Sequence, residues 1–137
     1  MTPQRVLAVD PGREKCGLAV LDRNSGVLWR RIVATEHLLE AVLQLFETQE
    51  CPVVAVGNRT HSTEVRKLLQ PLLDQGRVQE MTSVDEHGST EAARLRYWQV
   101  MPPKGWRRFV PRGLLVPPCA IDDFAAIIIA ERYFKKI

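Results

Sequence analysis

The stretch Val6-Leu7-Ala8-Val9-Asp10-Pro11-Gly12 constrains this chain more than any other. An apolar run stops at a carboxylate, a Pro-Gly turn follows, and a second apolar run, Gly17-Leu18-Ala19-Val20-Leu21-Asp22, begins soon after. An apolar run with little alternation marks a strand buried on both faces, hence central in a sheet. A carboxylate at the tip of such a strand is costly to place unless it has a partner or a task. The first question is therefore which other residues meet Asp10 in space.

The flanking sequence predicts a meander. Asn24-Ser25-Gly26 is a tight turn, and residues 27–34, with Trp29, Ile32 and Val33, form a third strand. Connections this short force consecutive strands to pair antiparallel. The period then changes. Residues 36–49 carry Leu38, Leu39, Val42, Leu43, Leu45 and Phe46 at helical spacing. Residues 52–57 are a short apolar strand ending in Gly57, and residues 61–75 a second amphipathic helix in which Pro71 is expected to kink or tighten the chain. A weaker strand at 78–84 ends in Asp85-Glu86, and Ser89 or Thr90 is placed to cap a third helix running to about Val100. Residues 102–118 hold five of the nine prolines and are expected to be mostly irregular. Residues 121–133 form a helix with few polar faces, which should be buried against the sheet. The order predicts an α/β fold with a five-stranded mixed sheet: three antiparallel strands, then two parallel ones, with helices on both faces. The fourth strand lies beside the first and the fifth beyond it.

With 137 residues, 45% hydrophobic and 26% charged, the chain is expected to fold as one domain, residues 1–137. No apolar run approaches the about 18 residues that span a bilayer. The opening Met1-Thr2-Pro3-Gln4-Arg5 lacks a signal-peptide layout. Cys16, Cys51 and Cys119 have no CxxC spacing, which suggests reduced thiols and a cytoplasmic protein without membrane attachment.

Three acidic points converge in this arrangement: Asp10 after the first strand, Glu86 after the fifth, and Asp122-Asp123 at the start of the last helix. Each has a plain alternative as a turn former, an exposed loop acid or a helix cap. Together, clustered carboxylates repel unless cations neutralise them. Oxygen-only clusters suit Mg²⁺ or Mn²⁺, and a pair of such ions about 3.5–4 Å apart activates water for phosphodiester hydrolysis. Residues 92–121 contain no acid but hold Arg94, Arg96, Lys104, Arg107, Arg108 and Arg112 among Tyr97, Trp98, Trp106 and Phe109. A basic stretch with interleaved aromatics is suited to a phosphate backbone and exposed bases. The alternative is a loop pinned to the core by its tryptophans.

The sequence resembles the YqgF (RuvX) family of RNase H-like nucleases, relatives of the RuvC Holliday junction resolvases. The likeness rests on Val9-Asp10-Pro11-Gly12 with Gly17-Leu18-Ala19-Val20, on Asp85-Glu86-His87-Gly88-Ser89-Thr90-Glu91-Ala92-Ala93, and on Asp122-Asp123 leading into an alanine- and isoleucine-rich helix. The chain departs from the family pattern at His87-Gly88, at Gly57-Asn58-Arg59-Thr60 and in the proline-rich stretch 106–118. The resemblance implies an RNase H-like fold and metal-ligand roles for Asp10, Glu86 and Asp122, with Asp123 able to share or replace the role of Asp122. It implies one or two Mg²⁺ or Mn²⁺ ions, and a nuclease that matures the 5′ end of pre-16S rRNA, with the ribosome or its precursors as partner and RNA favoured over DNA. Lys15, Arg59, Arg107, Arg108, Arg112 and Trp106 are the expected nucleic-acid contacts. Two rivals stand beside this: a Holliday junction resolvase, which requires a dimer, and a catalytically silent RNA- or ribosome-binding module. The sequence leaves monomer and homodimer both open. A nucleotide-binding protein of the actin–hexokinase type is disfavoured by the lack of a second glycine-rich phosphate loop.

Overall fold

The computed structural model describes residues 3–111 and 114–136. The elements follow in the expected order: β1 (Arg5–Asp10), β2 (Lys15–Asp22), β3 (Gly26–Ala34), α1 (Leu38–Phe46), β4 (Val53–Gly57), α2 (Ser62–Asp74), β5 (Glu80–Val84), α3 (Ser89–Val100) and α4 (Asp122–Lys136). The sheet order is β3-β2-β1-β4-β5. β1 pairs antiparallel with β2, and β2 with β3; β1 pairs parallel with β4, and β4 with β5.

β1 is central, and Val6 to Val9 are wholly buried, because both faces of the sheet are covered. Leu7, Val9, Leu18, Val20, Val54 and Val56 face α1 and α2. Val6, Ala8, Ala19, Leu21, Val53 and Ala55 face α3 and α4. On that second face the side chains shrink. Ala8 lies opposite Ala19 on one side and Ala55 on the other, so three alanines form a line across the middle of the sheet. A helix lies close over a surface of small side chains, and α4 does so with Ala125, Ala126, Ile129 and Ala130 all buried.

Several boundaries differ from those the sequence suggests, each for a local reason. β5 starts at Glu80 rather than residue 78, because the N–H groups of Arg77 and Val78 are spent on the Leu72 carbonyl that closes α2. α2 begins after His61, whose backbone sits in the left-handed region at φ 72°. It continues through Pro71 to Asp74. α3 is capped by neither Ser89 nor Thr90: Gly88, at φ 72°, precedes it, and Ser89 is its first residue. The proline-rich stretch after α3 contains a short 3-10 turn, Gly105–Phe109. Among the described residues no helix is long and apolar enough to cross a membrane.

Candidate nuclease centre

Asp10 closes β1, and the positions beside it on both neighbouring strands are glycines. Gly17 on β2 is its register partner. Gly57 on β4 stands level with it, one residue beyond the Val9–Val56 pair. Both glycines make room for another acid. A Cβ on Gly17 would lie 1.8 Å from the carbonyl oxygen of Asp122, and a Cβ on Gly57 would lie 1.8 Å from Glu86 Oε1. Any other residue at either position would push an acid away from Asp10. The sequence shows Gly17 within a motif and Gly57 at a strand end; the structure adds that each leaves room for an acid beside Asp10, a role signalled by a small residue on each strand flanking an acid-terminated one.

The acids differ in their surroundings. Asp10 and Asp122 are half-buried, whereas Glu86 is fully buried at 0% exposure. The plain alternative of an exposed loop acid therefore does not apply to Glu86. Its loop is held from several sides. The Glu86 N–H donates to Asn58 Oδ1 at 3.2 Å, and its carbonyl accepts Arg59 Nη2 at 3.2 Å and the Ser89 N–H at 2.9 Å. Arg59 Nε lies 3.5 Å from Glu86 Oε2. On the other flank Lys15 Nζ lies 3.5 Å from Asp122 Oδ2. Lys15 and Arg59 are thus brought to the outer two acids. The carboxyl of Asp10 is pushed up to about 8, first by burial, then by the Glu86 carboxylate beside it and by Asp122, with Arg59 pulling the other way.

Asp123 is engaged elsewhere. Arg30 on β3 donates to its Oδ2 at 2.6 Å, and its Oδ1 accepts the Phe124 N–H at 3.0 Å. The same guanidinium lies 4.4 Å above the Phe124 ring. This clasp fastens the start of α4 to the sheet.

Both carboxylate oxygens of Glu86 and Oδ2 of Asp122 are buried without a hydrogen-bond partner among the described residues. Glu86 Oε2 and Asp122 Oδ2 face only the cations of Arg59 and Lys15, each at 3.5 Å, and a buried carboxylate paired so incompletely costs several kcal/mol per ion. A hard cation that takes oxygen ligands offsets that cost, and an all-carboxylate donor set suits Mg²⁺ or Mn²⁺. Among the described residues no three His, Cys, Asp or Glu side chains close on one point. Asp10 and Asp122 instead border an open 280 Å³ pocket with the Pro11-to-Lys15 turn, and Glu86 lies buried outside its lining. The donor chemistry and the unbonded oxygens fit a divalent ion.

The basic loop does not line this pocket. Trp106, Arg107 and Arg108 are exposed on the 3-10 turn, so Trp106 does not pin the loop to the core. Tyr97 and Trp98, by contrast, are buried core residues, and Arg96 is paired with Glu131 at 2.7 Å. Arg112 lies outside the described residues.

Residues 4–93, from β1 to the start of α3, match the model of the Tex protein YqgF-like domain. The chain belongs to that family. No curated protein sequence matches this YqgF-like chain. Among solved structures it is similar to Thermus thermophilus RuvC, with a TM-score of 0.64 at 16% identity, covering 96% of this chain and 94% of that one. T. thermophilus RuvC in complex with Holliday junction substrate gives a TM-score of 0.63 at 14% identity, over 97% and 96% of the two chains. The Fowlpox virus resolvase, in a complex with substrate Holliday junction DNA, gives 0.58 at 7% identity, over 96% and 99%. These likenesses establish the RuvC-type, RNase H-like fold over nearly the whole length of the YqgF-like chain.

Proposed function

We propose that the YqgF-like chain is one RNase H-like domain that hydrolyses phosphodiester bonds in structured nucleic acid with a bound Mg²⁺ or Mn²⁺. The observation that carries this reading is the convergence of Asp10, Glu86 and Asp122 at one end of the sheet, with carboxylate oxygens buried and unbonded. These three residues would hold the metal, which, when bound, lowers the pKa of an attacking water and stabilises the departing oxygen. The chain's own residues supply the rest. Gly17 and Gly57 let the acids approach Asp10. The Pro11-Gly12 turn forms part of the pocket wall beside Asp10. Lys15 and Arg59, already beside the acids, are in place to meet substrate phosphates, with Arg107, Arg108 and Trp106 on the exposed 3-10 turn to grip the strand. Asp123 serves as an anchor through Arg30 rather than as a ligand.

Two substrates compete. Pre-16S rRNA, with the pre-ribosome as partner in the cytoplasm, is supported by the resemblance to the YqgF (RuvX) family. A four-way DNA junction is supported by the fold neighbours, two of which are complexes with Holliday junctions. Cleavage of end-labelled structured RNA and of a four-way DNA junction, with Mn²⁺ present, separates them. The native protein should cleave at least one of them and Asp10→Asn neither; equal cleavage by that variant would sink the assignment. Symmetric resolution of the junction further requires a dimer, which light scattering detects.

A further inference from the structure

We propose that the groove between the C-terminal end of α3 and the 3-10 turn Gly105–Phe109 seats unpaired bases of a nucleic-acid strand. As an account of the substrate, this rests on the nuclease reading above; as an account of binding, it stands on the groove alone. The groove encloses about 640 Å³, with Tyr97 and Trp98 among its lining, Pro102, Trp106 and Pro118 along its sides, and Arg107 at its edge. Tyr97 and Trp98, both nearly fully buried, meet edge to face at 5.0 Å behind it.

The stretch that follows α3, which lends Trp106 to the groove, is unusually apolar for an exposed segment. Trp106 is 71% exposed, Phe109 78%, Leu114 75% and Val116 73%. Single exposed apolar residues need no explanation, but a neighbouring set of them marks a binding surface. Each exposed aromatic also carries a cation: Arg107 lies 5.8 Å over the Trp106 ring and Arg108 5.0 Å over Phe109. No acid occurs from residue 92 to residue 121. The occupant must therefore offer flat apolar faces and negative charge together.

An unpaired nucleotide has both, in its base and its phosphate. A continuous duplex hides its base faces and would use only the arginines. An apolar protein partner would use the aromatics and leave the uniform positive charge unanswered. The groove is also tied to the acid cluster. Tyr97 packs edge-on against Phe124 at 5.5 Å, and Phe124 follows Asp122-Asp123 in the first turn of α4. A strand held here is held by the layer that supports Asp122. The substrate class this implies is a strand with unpaired bases, as in a loop, a branch point or a frayed end.

The test is equilibrium binding by the Asp10→Asn protein in EDTA, so that cleavage plays no part. Three labelled probes are compared at one salt concentration: an oligothymidylate, an abasic strand of equal length and charge, and a blunt duplex. The oligothymidylate should bind about tenfold more tightly than the abasic strand, the scale of one stacked base. Trp106→Ala should lower it to the abasic level while leaving abasic binding unchanged. Trp106 is exposed, so this variant should fold normally, and circular dichroism checks that. Equal binding of the oligothymidylate and abasic strands overturns the proposal. So does a preference for bases that survives Trp106→Ala, or self-association of the chain that Trp106→Ala abolishes with no preference for bases. A protein that passes this test but cuts nothing leaves the groove assigned and the nuclease reading refuted.

Discussion

Asp10 and Asp22 end adjacent strands of one hairpin, yet their surroundings drive their acidities apart. Asp22 accepts the N–H groups of Ser25 and Asn24, then Gln4 and Arg5, and is lowered to about 2. Asp10 is raised to about 8, mainly by burial and by Glu86. The consequences for stability have opposite signs. Asp22 contributes stability above its unfolded pKa, and that contribution is lost as pH falls toward 2. Asp10 binds its proton more tightly folded than unfolded, so the metal-free protein loses stability as pH rises from the ordinary carboxyl value of 3.8 through about 8. Asp10→Asn removes that loss. In EDTA its melting temperature should exceed that of the native protein at pH 8 and approach it near pH 4 (both the pKa values above); a difference that does not change with pH would contradict the assigned environment. Gly57→Ala tests the same site sterically. Its Cβ would displace the Glu86 carboxylate, at a cost of about 1–3 kcal/mol in urea denaturation, and cation binding should weaken with it.

At the scale of elements, α4 carries the largest share of the architecture. Its apolar side lies on the alanine line of the sheet, and its first turn is fixed by the Arg30–Asp123 clasp. Arg30→Ala leaves a buried carboxylate unpaired. Arg30 is itself 39% exposed, so the loss should fall short of that for a fully buried pair, about 1–3 kcal/mol by chemical denaturation. A double-mutant cycle with Asp123→Asn should show coupling between the two; additive losses would contradict the clasp. The strand order, the two-sided cover and the buried last helix were legible in sequence, because apolar period and connection length decide them. The acid cluster was legible only as a convergence of strand ends. The role of Asp123 was not, because its partner lies 93 residues away on a strand whose pattern marks Arg30 as merely exposed. Nor was the missing side-chain cap of α3, since Gly88 in a left-handed turn takes the cap position and Ser89 falls one residue inside the helix.

For the whole molecule, the RuvC-type fold gathers residues from four separate regions of the chain at one end of the sheet, as its parallel and antiparallel halves meet at β1. The charge is divided accordingly. Acids gather at the strand ends, with Lys15 and Arg59 beside them, while the acid-free span after α3 extends the positive surface outward. Fold and family followed from motifs in order; the distribution of exposed aromatics did not, because an alternation of arginine and aromatic residues looks alike whether the rings point in, as Tyr97 and Trp98 do, or out, as Trp106 and Phe109 do. Any ligand that binds only the folded state stabilises it, and at a concentration about one hundred times Kd the gain is about 2.7 kcal/mol. The same saturating concentration of Mn²⁺ should therefore raise the melting temperature of the native protein and raise that of Asp10→Asn by clearly less. The most direct measurement is Mn²⁺ binding itself, by calorimetry or by the loss of the free-ion resonance signal, on the native protein, Asp10→Asn and Glu86→Gln. The native protein should bind Mn²⁺, and each variant should bind it about tenfold more weakly or worse; binding that is absent from the native protein, or undiminished in both variants, would contradict the assignment of the three acids as a metal centre.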